Sequence, residues 1–374
     1  MRLGIGASEL ELADDHRKAG VGRYVLRVLE TLEEEEHGHE VLVFHRAETT
    51  IPEEWRLRAA EARMTFVPEW TKTRSYHLLG RDLMPAKHRL DAWWSLGGRV
   101  PRVPFGPRLA TMHDIFFMTE PATYTPTDRA IHESKARDIA RHADLIVASS
   151  ESTRGELLTH LGRAPESVFV AHLGLGNLGS PVAPQDARPE VPFDRYIFAL
   201  STLEPRKNFP RLLQAWAIAA REPDLAGMGL VVGGGKGWES ADLHAEIVRL
   251  GLLDRVHFAG YVADARVPHL FAGCDAFVLP SLTEGFGITV LEAMHYGAPV
   301  ACAATGSLPE VAGDLGAIFD PLDPDKMARA ILALVRESRA ERERRIAAGH
   351  ARAAEFSWSR HVRTVLDRIE GFRR

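Results

Sequence analysis

Two glutamates carry the strongest chemical signal in this chain. Glu284 and Glu292 stand eight residues apart in Leu279-Pro280-Ser281-Leu282-Thr283-Glu284-Gly285-Phe286-Gly287-Ile288-Thr289-Val290-Leu291-Glu292-Ala293-Met294. The preceding run, Asp275-Ala276-Phe277-Val278-Leu279, is short and apolar and reads as a buried strand. Behind it Ile288, Leu291, Met294 and Tyr296 recur at helical spacing, until Gly297 and Pro299 stop the helix. Eight residues are a little over two helical turns. One carboxylate just before the helix and one inside it can therefore face a single cleft. The backbone N–H groups of Phe286, Gly287 and Ile288 are helix-start donors, and Gly285 leaves room for close approach. Such donors suit an anionic or polyhydroxylated ligand. A plainer reading of the same residues is two solvated glutamates around a glycine loop.

Three further stretches hold candidate chemistry. Arg206 and Lys207, in Ser201-Thr202-Leu203-Glu204-Pro205-Arg206-Lys207-Asn208, follow the apolar run Tyr196-Ile197-Phe198-Ala199-Leu200. At a strand's carboxyl end they suit a diphosphate: a planar fork for one phosphate and a point charge for the other. Asn208 stands where an N-cap for the next helix is expected. Gly233-Gly234-Gly235-Lys236-Gly237-Trp238 follows another strand, and it is not a P-loop, because Gly replaces the Ser or Thr after the lysine. Gly20-Val21-Gly22-Arg23-Tyr24 opens an amphipathic helix, with glycines that allow close approach to a ligand. His113 ends the run Arg108-Leu109-Ala110-Thr111-Met112, where open α/β sheets place their ligands, although a lone histidine is also an ordinary structural residue.

Metal chemistry finds little support. His37 and His39 flank a turn at Gly38 with no third ligand near in sequence. Asp323-Pro324-Asp325 reads as a helix start, with Asp323 as cap and Pro324 in the first turn. No metal and no cofactor are expected.

The rest of the chain must position these residues. Its 374 residues suit two domains of roughly 150–200 residues each. An apolar content of 45% with 26% charged residues is that of a globular protein rather than a disordered one. No stretch approaches the ~20 apolar residues of a transmembrane helix. The N-terminus runs into Glu9, Glu11, Asp14 and Asp15 and does not read as a signal peptide. Cys274 and Cys302 lie beside apolar runs, so a cytoplasmic chain without a disulfide is the expectation. Net charge is -5, yet residues 54–108 hold eleven basic against five acidic side chains. That surplus suits anionic lipid or a phosphate-bearing partner, with a solvated helical face as the other reading. No nucleic-acid motif accompanies it.

Strand and helix alternate throughout, the pattern of parallel sheets covered on both faces. A Gly- and Pro-rich stretch from Gly174 to Pro192 reads as the connection between two domains, 1–180 and 193–356.

The wording of the motifs now matters. Glu284-Gly285-Phe286-Gly287 through Leu291-Glu292-Ala293-Met294, with Gly297-Ala298-Pro299-Val300, resembles the E-x7-E signature of retaining glycosyltransferases of family 4. Pro205-Arg206-Lys207-Asn208, the Gly-Lys-Gly-Trp loop, Gly-Val-Gly-Arg-Tyr and Thr-Met-His-Asp-Ile-Phe are similar to phrases of the same mannosyltransferase-like family. Only Ala171-His172-Leu173-Gly174-Leu175-Gly176-Asn177 departs from its usual pattern. The resemblance implies a GT-B architecture of two doubly wound Rossmann-like α/β domains facing a cleft. The N-terminal domain would serve the acceptor, the C-terminal one the nucleotide-sugar donor, and the helix 357–374 would cross back to the first. It further implies transfer of a hexose, with mannose-type donors such as GDP-mannose favoured, to a hydroxyl on a glycan, lipid-linked or small-molecule acceptor. Arg206 and Lys207 would meet the diphosphate, Glu284 the sugar, Glu292 the ribose, and His113 the reacting carbon. Gly22, Gly234, Lys236, Gly285, Phe286, Gly287 and Ile288 would line the donor. A nucleotide-sugar 2-epimerase and a non-catalytic nucleotide-binding module share these features and stay open.

With Arg206 and Lys207 in the place of a cation, transfer should persist in excess chelator. Loss of most activity, restored by magnesium or manganese, would overturn this.

Overall fold

In the computed structural model the alternating pattern becomes two parallel sheets. The structure describes residues 1–10, 20–69, 81–102, 104–176, 179–183, 186–187, 189–235 and 243–372, so Lys236 lies outside the described residues. The chain divides into two compact units, one of Met1–Gly174 with Ser357–Arg374 and one of Leu175–Phe356.

The first unit holds strands β1 (Arg2–Gly6), β2 (Glu40–Arg46), β3 (Met64–Glu69), β4 (Ala92–Ser95), β5 (Arg108–Met112), β6 (Leu145–Ala148) and β7 (Val168–Val170). Their order is β3-β2-β1-β4-β5-β6-β7. The second holds β8 (Tyr196–Leu200), β9 (Gly229–Gly233), β10 (Val256–Gly260), β11 (Ala276–Leu279), β12 (Val300–Ala303) and β13 (Ala317–Phe319), ordered β10-β9-β8-β11-β12-β13. Each sheet reverses its winding direction once, between β1 and β4 and between β8 and β11. Ligands in open α/β sheets bind beyond the carboxyl ends of strands at such reversals. Central strands are buried along their whole length, as in β5, β6, β9 and β11. That is why they read as continuous apolar runs rather than alternating ones.

Helix starts follow local rules. Thr125 accepts from the Asp128 N–H at 3.2 Å ahead of the helix Pro126–His142. Asp323 accepts from the Lys326 N–H at 3.0 Å with Pro324 in the first turn, so this Asp-Pro-Asp is a cap. Asn208 corrects the expectation made of it. It precedes the helix Phe209–Ala219 in a left-handed conformation, φ 58°, and caps nothing with its side chain. Its Nδ2 instead donates to the carbonyls of Pro280 at 3.0 Å and Pro321 at 2.8 Å. Asparagine tolerates that backbone region, and its amide is worth more tying two loops together.

The basic surplus of residues 54–108 shrinks in three dimensions. Arg108 forks onto Asp144 with both contacts at 2.9 Å, Arg99 and Arg102 share Asp138, and Arg58 meets Glu33. Cys274 and Cys302 are buried and free. No helix of the described residues is long and apolar enough to cross a membrane.

The last helix, Trp358–Glu370, buries Trp358, His361, Val362, Val365, Leu366 and Ile369 and packs on the helix Gly20–Glu34 within the first unit. From Leu175 onward the described connection belongs to the second unit, where the Tyr296 hydroxyl donates to the Gly179 carbonyl at 2.9 Å.

Glycines in β1 let a large ring cross that strand. A Cβ on Gly4 would lie 2.6 Å from Leu90 Cδ1 and 2.8 Å from Trp93 Cε3. Trp93 cannot retreat, being buried and stacked on Phe44 at 5.2 Å. Gly4→Ala should therefore lower stability by about 1–3 kcal/mol. Gly20→Ala, with nothing within 4 Å of the added carbon, should be neutral or slightly stabilising in its helix. Urea unfolding of both variants checks the pair.

Candidate active site

In the second unit, loops from the carboxyl ends of β8 and β11 meet at the winding reversal. Arg206 and Lys207 sit in the tight turn Pro205–Lys207 after β8. Glu284 sits in the loop between β11 and the helix Ile288–His295. Lys207 Nζ donates to Glu284 Oε1 at 2.6 Å, the Ser281 hydroxyl to the same oxygen at 2.6 Å, and Arg206 Nη1 to Oε2 at 3.0 Å. Arg206 also reaches the Thr283 carbonyl at 2.9 Å and Glu204 at 2.6 Å. Main chain seals the junction, with the Leu282 N–H on the Arg206 carbonyl at 2.8 Å.

Glu284 is nearly closed to water, with 11% of its side chain exposed. Burial alone would push its carboxyl up. Lys207 and Arg206 overcome this and hold it down at about 2. The two cations thus do not stand open. Two carboxylates, Glu284 and Glu204, already meet them.

The loop is shaped by close approach. Gly306, at φ 56°, would place a Cβ 2.5 Å from the Glu284 carbonyl oxygen. The Ser307 N–H and hydroxyl donate to that carbonyl at 3.1 and 2.9 Å. Gly287 is left-handed, φ 87°, immediately before Ile288 begins the helix. Phe286 turns its ring into the core against Phe356. Any service Phe286 gives a ligand is through its backbone. Glu292 is buried inside the helix, 4% exposed. Gly234, at φ 138°, lies where a Cβ would fall 1.9 Å from the Ser201 carbonyl, so the loops after β8 and β9 touch through bare backbone.

His113 follows β5 in the first unit. Its carbonyl accepts from the Ser149 hydroxyl at 3.0 Å and the Thr153 hydroxyl at 3.1 Å. Burial, helped by His361 and Lys135, pulls its imidazole down to about 3, so the ring is neutral at pH 7. Gly22 is buried in the first turn of the helix Gly20–Glu34. Among the described residues no cluster of three or more His, Cys, Asp or Glu could hold a metal ion.

Comparison with known proteins gives this geometry a family. Residues 186–352 match the family model described as glycosyl transferases group 1. The O-antigen chain mannosyltransferase B of Escherichia coli is 30% identical over 369 residues, covering 91% of this chain and 92% of that protein. The chain belongs to the group 1 glycosyl transferases. The serotype-specific mannosyltransferase WbdA of Escherichia coli is 29% identical over 70% of this chain, which spans only 33% of that longer protein. HepE from Anabaena, solved in complex with UDP and glucose, superposes with a TM-score of 0.70 over 99% of both chains at 20% identity. At that identity the likeness shows the fold: this glycosyltransferase has the GT-B fold of two Rossmann-like domains.

Sequence reasoning missed three partners in this glycosyltransferase. Ser281 lies three positions before Glu284, and Glu204 two before Arg206, so both were near enough to find from local charge and hydrogen-bonding capacity. Ser307 lies 23 positions from Glu284, and its bond to that carbonyl depends on the approach at Gly306 and has no local signal.

The depressed Glu284 carboxyl fixes a sign. Its folded value, about 2, lies below the ordinary 4.5. Its stabilisation is therefore full above pH 4.5 and lost as pH falls toward 2. The difference corresponds to about 3 kcal/mol. Glu284→Gln should flatten that part of the stability profile. Urea unfolding of wild type and variant between pH 7 and pH 3 gives the comparison; parallel profiles would remove the claim.

Proposed function

We propose that this enzyme is a retaining, metal-independent hexosyltransferase that takes a mannose-type sugar from a nucleoside diphosphate to a hydroxyl of a glycan or lipid-linked acceptor. The observation that carries this reading is the Arg206–Lys207–Glu284 cluster at the winding reversal of the second sheet. It places a fork, a point charge and a carboxylate within one hydrogen bond of each other. The mannosyltransferases among the relatives support the choice of sugar.

On this reading the second unit takes the donor. Arg206 and Lys207 shift part of their charge from the carboxylates to the diphosphate, stabilising what develops as the bond from the anomeric carbon to the phosphate oxygen breaks. The backbone N–H groups at 286–288 add to that field. Glu284 accepts from a sugar hydroxyl with its remaining acceptor capacity, and Glu292 serves the ribose. The acceptor oxygen bonds to the anomeric carbon and gives its proton to the departing phosphate oxygen. His113, neutral at pH 7, serves the reacting sugar. The reaction uses nucleotide sugar of the cytoplasm, and the remaining basic surface of the first unit would meet an anionic lipid if the acceptor is membrane-bound.

A panel of nucleoside diphosphate sugars should yield one that stabilises the protein by about 2.7 kcal/mol at 100 times its Kd. Incubated with hydroxyl acceptors, that donor should give a product whose anomeric configuration by NMR matches the donor. An inverted product, or an epimerised sugar formed without acceptor, overturns the reading.

His113→Ala should abolish most transfer while leaving nucleoside diphosphate affinity within about twofold, since His113 meets the sugar and not the nucleotide in this scheme. Calorimetry beside the transfer assay decides it; a tenfold loss of affinity would put His113 in the wrong role.

A further inference from the structure

Behind His113 lies a chain of buried hydrogen bonds that runs in one direction only. His361, on the C-terminal helix, points Nδ1 at the carbonyls of Ala171 (3.0 Å) and His172 (3.2 Å). Carbonyls only accept, so Nδ1 carries the proton. Burial pulls this imidazole down to about 4, so it is neutral and Nε2 is a bare acceptor. The Tyr24 hydroxyl, 3.0 Å away, must then donate to Nε2. With its one proton used, Tyr24 accepts from the Thr111 hydroxyl at 2.8 Å. Thr111 in turn accepts from the Trp94 indole N–H at 3.0 Å. No member has a free choice of direction.

The ring of Tyr24 does something else. It meets the His113 imidazole edge to face, with centroids 4.4 Å apart at 77°. His113 Nε2 is buried and makes no hydrogen bond among the described residues, so no bond at that nitrogen sets the ring's angle. Main chain at His113 is held by Ser149 and Thr153, and the side chain rests on Tyr24. Tyr24 is 2% exposed and is gripped at its hydroxyl by β5 through Thr111 and by the last helix through His361.

We propose that Tyr24 is a positioning residue for His113, and that His361 on the C-terminal helix fixes Tyr24 by accepting its hydroxyl proton. The last helix is then part of the transfer machinery, acting at two removes. This rests on the role given to His113 in the proposed function.

The test uses the full chain with 13C-labelled histidine and the variants Tyr24→Leu, Tyr24→Phe, His361→Leu and His361→Gln, beside His113→Ala. Imidazole NMR signals of His113 and the kcat and KM for the nucleotide sugar are read on each. Tyr24→Leu and His361→Leu should move the His113 signals and lower kcat about tenfold, with donor KM nearly unchanged. His361→Gln, which keeps an acceptor toward Tyr24, should restore most of both. If Tyr24→Leu does not fold, Tyr24→Phe decides in its place, since it keeps the ring and removes only the hydroxyl. Unmoved His113 signals in the folded variants overturn the proposal, whatever happens to kcat. A kcat loss that follows melting temperature and is not rescued by glutamine marks a structural residue and also overturns it. Should His113→Ala keep full turnover, the fault lies with the role of His113 instead, and the NMR comparison still reports whether Tyr24 holds its ring.

Discussion

A carboxylate shared by two cations at the edge of water holds the second unit's working loops together. Glu284 alone would be costly to bury as an anion, and Lys207 with Arg206 removes that cost by approaching within 2.6 and 3.0 Å. Such a cluster is worth little more than a well-packed apolar contact while intact. Removing one partner leaves an uncompensated charge, at about 3–5 kcal/mol. The value of the arrangement is geometric. It locks the turn after β8 to the turn after β11, and the Asn208 amide extends the lock to the Pro280 and Pro321 carbonyls. A diphosphate arriving here would exchange partners with carboxylates rather than displace water from naked cations.

What could be read from the sequence follows how local each signal was. Parallel strands buried on both faces, such as Ala276–Leu279, read as apolar runs, and a cap such as Asp323 announces its helix within three residues. The Glu284–Glu292 stretch was legible because strand, turn and helix follow one another there without interruption. The partners of Glu284 were not. Lys207 lies 77 positions away and meets it only because β8 and β11 are neighbours in the sheet. Asn208 defeated the capping rule for a related reason, since carbonyls delivered by distant loops outbid the helix start next to it. The charge count over residues 54–108 overstates the local surplus, because several of its arginines take their partners from outside that window.

The bond between Tyr24 and His361 spans 337 positions, and nothing near either residue foretells it. It is also a sign of how the first unit is assembled. All seven strands of its sheet lie before Gly174, but its last helix is separated from them by the whole second unit.

That discontinuity sets an order of events during synthesis. When residues up to Gly174 have left the ribosome, the first sheet can pair throughout, yet the place of the Trp358–Glu370 helix is empty. The Tyr24 hydroxyl has no imidazole to meet, and the apolar surface destined for Val362, Val365 and Ile369 faces solvent. Roughly 190 residues separate Gly174 from His361, and at about 5–20 residues per second that face stays open for about 10–40 s. The nascent first unit is therefore an exposed, half-covered sheet for most of the time the second is being made. Its closure waits until the second unit has been made.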